Sequence, residues 1–419
     1  MKRYPFPNHK AAKVLLGLGI LALLYLSRST MYTLSRLGFY KSQFLMLGVM
    51  GVTFAAFCVR NFRSWREILT DRRLIFALVC AAVLLLPMII KRDWQLMYFT
   101  VLICVWFSIF LTFFLTAEQL GRAYVLVMTG LGAYSVLANY GLRLLADRGI
   151  LRFPVFLNLQ GFEFYDFFLG CGGVSYISYR NFGIFREPGV YQFFLLLALY
   201  LTFYKLTWRK PWKQWLCGCL LALTLLTTFT TGGVACLGLF ALVLFFDKKL
   251  YRDKRIVALV LALIVLLSLL VAYSIVRENR LREALYEMVV AKFVNRQDSY
   301  VERTEAIYVD ASFFLHSPIW GSRFADVLHA VENNTSSTLV QFAVYGILGG
   351  WLHLLCWYIF VWDKERKLWV NLSLSLIFLI SFNTQNLTTD LFFWLLPVMA
   401  LTERVIPALE RRREERHGS

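Results

Sequence analysis

Apolar residues in this chain fall into long runs, too wide and too long for the alternation of a half-buried strand or the narrow stripe of a surface helix. The runs lie at roughly 14–27, 43–59, 74–90, 96–117, 123–145, 190–206, 216–229, 232–246, 256–276, 338–362, 370–386 and 389–404. About 20 apolar residues in a helix cross the roughly 30 Å hydrocarbon layer. The pattern therefore predicts an all-α polytopic membrane protein, one transmembrane domain over 1–419 with about 12 helices. Two polar segments interrupt the series, 146–189 and 277–337, and neither has the low-complexity composition of a disordered tail. In the second, Leu281, Leu285, Met288 and Phe293 recur at helical spacing. A further helix opens at the capping-box pattern Ser299-Tyr300-Val301-Glu302, runs to about Leu315 with Ile307, Ala311 and Phe314 on one side, and stops before Pro318. These two helices read as a lid on the membrane surface.

Charge then orients the spans. Basic clusters around Lys10 and Lys13, Arg60 to Arg73, Lys205 to Lys213, Lys248 to Arg255, Lys364 to Lys367 and Arg404 to Arg416 belong in the cytoplasm by the positive-inside rule. Both termini are then cytoplasmic, and 146–189 and 277–337 become long external loops. The run from 216 to 246 has cationic clusters at both ends, so it must be a hairpin. Its tip, Thr230-Thr231-Gly232-Gly233, lies on the outer face. Arg28, Arg36 and Lys41 alone run against this arrangement.

Composition supports the class. A chain of 419 residues that is 59% hydrophobic and 17% aromatic, with mean hydropathy +0.60, carries more apolar surface than a soluble core needs. The formal charge of +18 is assigned to the cytoplasmic loops, not to nucleic acid. Seven of the eight cysteines sit in apolar runs and only Cys171 in a polar loop, and Cys217-Gly218-Cys219 lacks the two-residue gap of a metal or redox pair. The first run follows a basic start with no small-residue cleavage site, so it is expected to be retained as a span.

The densest chemistry lies in Tyr179-Arg180-Asn181-Phe182-Gly183-Ile184-Phe185-Arg186-Glu187-Pro188-Gly189, at the mouth of an apolar run. Two guanidinium forks beside a carboxylate suit a site that holds a phosphate-rich leaving group and orients or deprotonates a hydroxyl. Simpler uses exist: Glu187 complements a helix dipole beside Pro188, and the arginines snorkel to lipid phosphates. The nearby aromatics, from Phe162 to Phe185, form either a wall for sugar rings and isoprenoid chains or an interfacial belt. The polar turn Asn383 to Asp390 is a solvated hairpin, or else brings Asp390 to the same cavity.

Arg303 follows in the second loop, then Pro318-Ile319-Trp320-Gly321, Glu332-Asn333-Asn334 and Tyr345-Gly346-Ile347-Leu348-Gly349. This order, taken with the Arg186-Glu187-Pro188 element and the Gly-Gly hairpin tip, resembles the bacterial O-antigen polymerase and O-antigen ligase superfamily over about residues 120–400. The resemblance implies a GT-C-like, multi-pass protein of the bacterial cytoplasmic membrane. Such a protein would be a metal-independent glycosyltransferase that polymerises undecaprenyl-diphosphate-linked repeat units into O-antigen, capsule or exopolysaccharide. It implies no cofactor, and as partners the lipid-linked oligosaccharides, membrane lipids, a chain-length regulator and a flippase. Arg180, Arg186 and Arg303 match basic positions of the family. Glu187 joins them as a catalytic candidate, and Tyr179, Phe185, His329, Glu332, Asn333, Asn334 and Asp390 are candidates for binding substrate. The chain departs from ligase-type members, which carry His-Asn where Asn333-Asn334 stands. Asparagine cannot act as a base. This favours polymerase over ligase and leaves Glu332, Glu187, His329 and His316 as alternatives for the base. A lipid-oligosaccharide transporter is the remaining reading. It is disfavoured because 74–90, 96–117 and 370–386 carry no charge and no internal repeat is visible. His353, the main polar exception within the spans, reads as helix packing.

Overall fold

The computed structural model describes residues 10–33, 71–158, 161–174, 179–255, 298–331 and 334–417, with isolated positions in 41–52 and 257–273. Most of the runs expected at 43–59 and 256–276, and all of the helix expected near 281–293, lie outside the described residues.

The described chain is mostly helical. Its elements are α1 (Lys10–Leu26), α2 (Arg72–Lys91), α3 (Leu96–Leu111), α4 (Ala117–Leu137) and α5 (Arg143–Asp147), then α6 (Pro188–Tyr200), α7 (Pro211–Thr227) and α8 (Thr231–Asp247). They continue with α9 (Asp298–His316), α10 (Phe324–His329), α11 (Ser337–Val361), α12 (Leu368–Phe382) and α13 (Leu391–His417). A π turn at Ala138–Leu142 carries α4 into α5. Four spans among the described residues, Arg72–Lys91, Ala117–Asp147, Ser337–Val361 and Leu391–Ala408, are long and apolar enough to cross a membrane, and α3, α8 and α12 are shorter apolar helices. The architecture is compatible with an α-helical membrane protein.

The core is organised around α6. Its sequence is apolar on every side, and every residue in it except Gly189 is buried. It packs against α4, α7, α8 and α12. Phe194 and Tyr191 clasp Phe185 at centroid separations of 4.3 and 5.1 Å, which ties the segment before the helix to its first turns. The run from 216 to 246 is two helices, parted at Thr228–Thr230 where Phe229 takes the left-handed conformation (φ 48°).

Two features depart from expectation. The segment 146–189 contains a three-stranded antiparallel sheet, β1 (Val155–Leu157), β2 (Glu163–Asp166) and β3 (Cys171–Gly173), with Phe156 opposite Phe164 and Phe164 opposite Gly173. The fold is therefore not purely α. Phe162-Glu163-Phe164-Tyr165-Asp166 alternates with a strand's period, and one face buries Phe156, Phe164 and Cys171 against Met31 and Phe182. The aromatic wall thus turns largely inward, although Phe168 remains exposed. In α9 the buried face carries Ala306 and Asp310, whereas Ile307, expected inside, is 42% exposed.

Helix α11 is broken at Gly346 (φ 66°, ψ −164°). A Cβ there would collide with the Ile319 carbonyl, so glycine meets both a conformational and a steric requirement. The Ile347 N–H, turned away from its helical acceptor, donates to the Pro318 carbonyl (2.8 Å), and Ser322 N–H donates to the Ala343 carbonyl (2.6 Å). Lys91 Nζ donates to the carbonyls of Ser322 and Val344 at 2.6 and 2.5 Å. The Pro-x-x-Gly and Tyr-Gly-Ile-x-Gly elements are thereby two halves of one contact.

Candidate functional site

Asn181 fixes the segment that carries the two candidate arginines. Its Nδ2 donates to Ser135 Oγ (2.9 Å) and Thr227 Oγ1 (3.0 Å), its Oδ1 accepts from Gly183 N–H (2.9 Å), and its own N–H donates to the Thr227 carbonyl (2.9 Å). Gly183 sits at φ 56° with the Tyr191 ring against it, so the chain turns tightly here. Downstream, Phe185 forms a β-bridge with Thr30, Met31 N–H donates to the Ile184 carbonyl (2.9 Å), and Arg186 N–H donates to the Ser29 carbonyl (2.9 Å). Phe182, Ile184 and Phe185 face the core, and the backbone is held at both ends.

Arg180 and Arg186 are half-buried, and the Nε of each lies buried without a partner among the described residues. Arg180 packs over the Tyr179 ring (5.6 Å), which itself meets Phe229 edge-on, so it stands beside the α7–α8 turn. Arg186 stands beside the 383–390 turn, with Nη2 3.5 Å from the Asn386 carbonyl, the outer limit of a hydrogen bond.

That turn gathers the starts of four helices. At α6, Gly189 lies against Gln385; at α8, Gly232 lies against Thr384. Gln192 links the two by donating to Thr384 Oγ1 (2.8 Å) and accepting from Thr230 Oγ1 (2.6 Å). At α11, Ser336 Oγ donates to Asn383 Oδ1 (2.8 Å), and Ser337 Oγ donates to the Gln385 carbonyl (2.5 Å) and accepts from Leu387 N–H (2.9 Å). At α13, Asp390 accepts from Phe392 N–H (2.8 Å) and from Ser29 Oγ (2.5 Å). Arg28 Nη1 donates to Thr389 Oγ1 (2.7 Å) on the same side. Helix N-termini carry partial positive charge and orphan N–H groups, so the end of the molecule holding Arg28, Arg180 and Arg186 is suited to an anion.

The other candidates divide. Phe185 is fully buried and belongs to the core, so it offers no surface to a substrate. Glu187 is the exposed N-cap of α6 and its side chain makes no capping bond. Asp390 reaches the cluster but is 2% exposed, with both oxygens engaged; burial raises its carboxyl pKa, while Ser29, the Phe392 N–H and Arg186 oppose the rise. His329 and His316 are exposed. Glu332 and Asn333 lie outside the described residues. His353 stacks on Phe393 (5.0 Å) within an aromatic box, in keeping with helix packing.

One residue was missed from sequence. Asp310 in α9 is 0% exposed; Asn334 Nδ2 donates to its Oδ1 (2.7 Å), and its Oδ2 has no partner among the described residues. Burial pushes its carboxyl up to about 7, against the opposing Asn334 bond. Arg303 lies two turns earlier on the same face, about 10 Å along the axis. The only sequence signal was the phase Asp310 shares with Ala306, one turn before. A polar run continues from here: Asn334 Oδ1 accepts from Ser336 N–H (3.1 Å), and Ser336 reaches Asn383. No protein-family model, curated protein or solved structure matches this chain.

Proposed function

We propose that this chain is a glycosyltransferase of the bacterial cytoplasmic membrane that polymerises undecaprenyl-diphosphate-linked oligosaccharide repeat units on the outer side of that membrane. The observation that carries the reading is the meeting of Arg180, Arg186 and four helix starts around one polar turn. A diphosphate leaving group gains negative charge as its bond to the sugar breaks. Guanidinium groups whose Nε atoms have no partner among the described residues, next to helix N-termini, are the groups to stabilise that charge. The positive-inside pattern assigns this end to the outside, where lipid-linked repeat units would be presented. Of the sequence candidates, Arg180 and Arg186 take the diphosphate, Tyr179 flanks it, and Arg303 and Asn334 belong to the acceptor side.

Deleting the gene and resolving the surface glycan on a gel tests this. Loss of a polymerase leaves carriers with single repeat units. Long polymer retained on its lipid carrier would instead indicate ligase activity, and normal length with normal attachment would rule out both.

A further inference from the structure

Resting on that reading, we propose that Asp310 is the general base of the transfer, taking the proton from the acceptor sugar hydroxyl through Oδ2 while Asn334 holds Oδ1. A carboxylate in this role needs one oxygen fixed and the other with its hydrogen-bonding capacity unspent, and Asp310 has that asymmetry. Oδ1 is bonded at 2.7 Å, whereas Oδ2, buried, has no partner among the described residues, so an acceptor hydroxyl must enter the space beside it as substrate binds. Its place supports the role. Phe314, one turn on, meets Phe342 of α11 at 5.4 Å, so Asp310 lies near the start of α11. From there Asn334 and Ser336 lead to Asn383 and the turn beside Arg186.

Among the described residues, no charged group acts strongly on the carboxyl. On the packed elements, α10 offers only Asp326 and His329, both exposed, and α11 carries no charged residue before His353. On its own helix the nearest acidic or basic side chains are Glu305, the exposed His316 and Arg303, five, six and seven residues away. Burial raises the pKa to about 7 and Asn334 alone opposes it, which suits a base working near neutrality. In the step, the acceptor oxygen forms a bond to the anomeric carbon of the donor as its O–H bond breaks and the proton passes to Oδ2. The bond from that carbon to the phosphate oxygen breaks, and its electron pair leaves on the lipid diphosphate. The proton leaves Oδ2 for water that enters as the product departs, which restores the carboxylate.

The test uses the purified full chain in detergent with undecaprenyl-diphosphate-linked repeat units, measuring polymer formation against pH and donor retention separately. Asp310→Asn keeps the shape and an acceptor for Asn334. It should slow transfer by about 100-fold or more with donor retention within about two-fold. Wild-type rates should fall as pH drops below about 7, a limb that Asp310→Asn lacks. Asn334→Ala removes the bond that lowers the carboxyl pKa and should move that limb to higher pH, which a purely structural role would not do. Transfer by Asp310→Asn above a tenth of the wild-type rate, or an unmoved limb in Asn334→Ala, overturns the assignment while leaving the polymerase reading intact. A wild-type protein that retains donor but forms no polymer overturns both.

Discussion

Ser29 Oγ donates a 2.5 Å hydrogen bond to Asp390 Oδ2, joining positions 361 residues apart. The contact pins the end of α1 to the start of α13, and the neighbouring Ser29 carbonyl holds Arg186 N–H. Ser29→Ala leaves a buried carboxyl oxygen without its donor and should lower stability by about 1–3 kcal/mol. Ser29→Thr keeps the hydroxyl and should lose less. Thermal unfolding of the two variants in the same detergent checks this, and equal midpoints would argue that the bond is idle.

The break in α11 makes a second prediction. Gly346→Ala forces a side chain into the left-handed region and against the Ile319 carbonyl, which should destabilise by at least about 1–3 kcal/mol. Lys91→Met strands the Ser322 and Val344 carbonyls and should add a loss of about 1–3 kcal/mol by itself. Because both changes act on one contact, the double variant should lose less than the sum of the singles. Strict additivity in unfolding measurements would contradict the coupling.

Asp310 also makes stability depend on pH. Its folded carboxyl pKa, about 7, lies above the ordinary value of 3.8, so between these values the folded state holds more protons than the unfolded state. Its contribution to stability is complete below the unfolded value and is lost as pH rises toward about 7. Asp310→Asn should flatten the unfolding midpoint over that window relative to wild type. A difference between the two proteins that does not change with pH would contradict the buried, neutral-leaning carboxyl.

Apolar runs were sufficient for the long apolar helices among the described residues because length and composition act locally: 74–90 became Arg72–Lys91 and 338–362 became Ser337–Val361. Cationic flanks also called for the division of 216–246 into two helices. The site was only partly legible. The sequence offered Arg180 and Arg186, but Asn181, which holds both in place, showed nothing in its own neighbourhood, since its partners Ser135 and Thr227 are each 46 residues away. Phe185 could not be told from a substrate-facing aromatic until α6 was placed against it. Periodicity set the packed face of α9 only in part: Phe314 meets Phe342, but Ile307 is exposed while a carboxylic acid, Asp310, is buried, and hydrophobicity alone cannot anticipate that.

The anchoring of the site segment is open to a separate check. Asn181→Ala removes two side-chain donations and the acceptor for Gly183 N–H, leaving buried groups without partners. It should cost about 1–3 kcal/mol and release residues 179–187. Amide hydrogen exchange of the Gly183 and Phe185 N–H groups should rise relative to α6, and unchanged protection there would contradict the anchoring role.

The central claim is that Arg186 stabilises the departing diphosphate through its guanidinium, and in vitro polymerisation of undecaprenyl-diphosphate-linked repeat units by Arg186 variants tests it most directly. Arg186→Ala should reduce the rate by about 100-fold or more. Arg186→Lys, which keeps the charge but not the bidentate fork, should recover only part of it. Wild-type rates in both variants, at matched folded protein, would contradict the account.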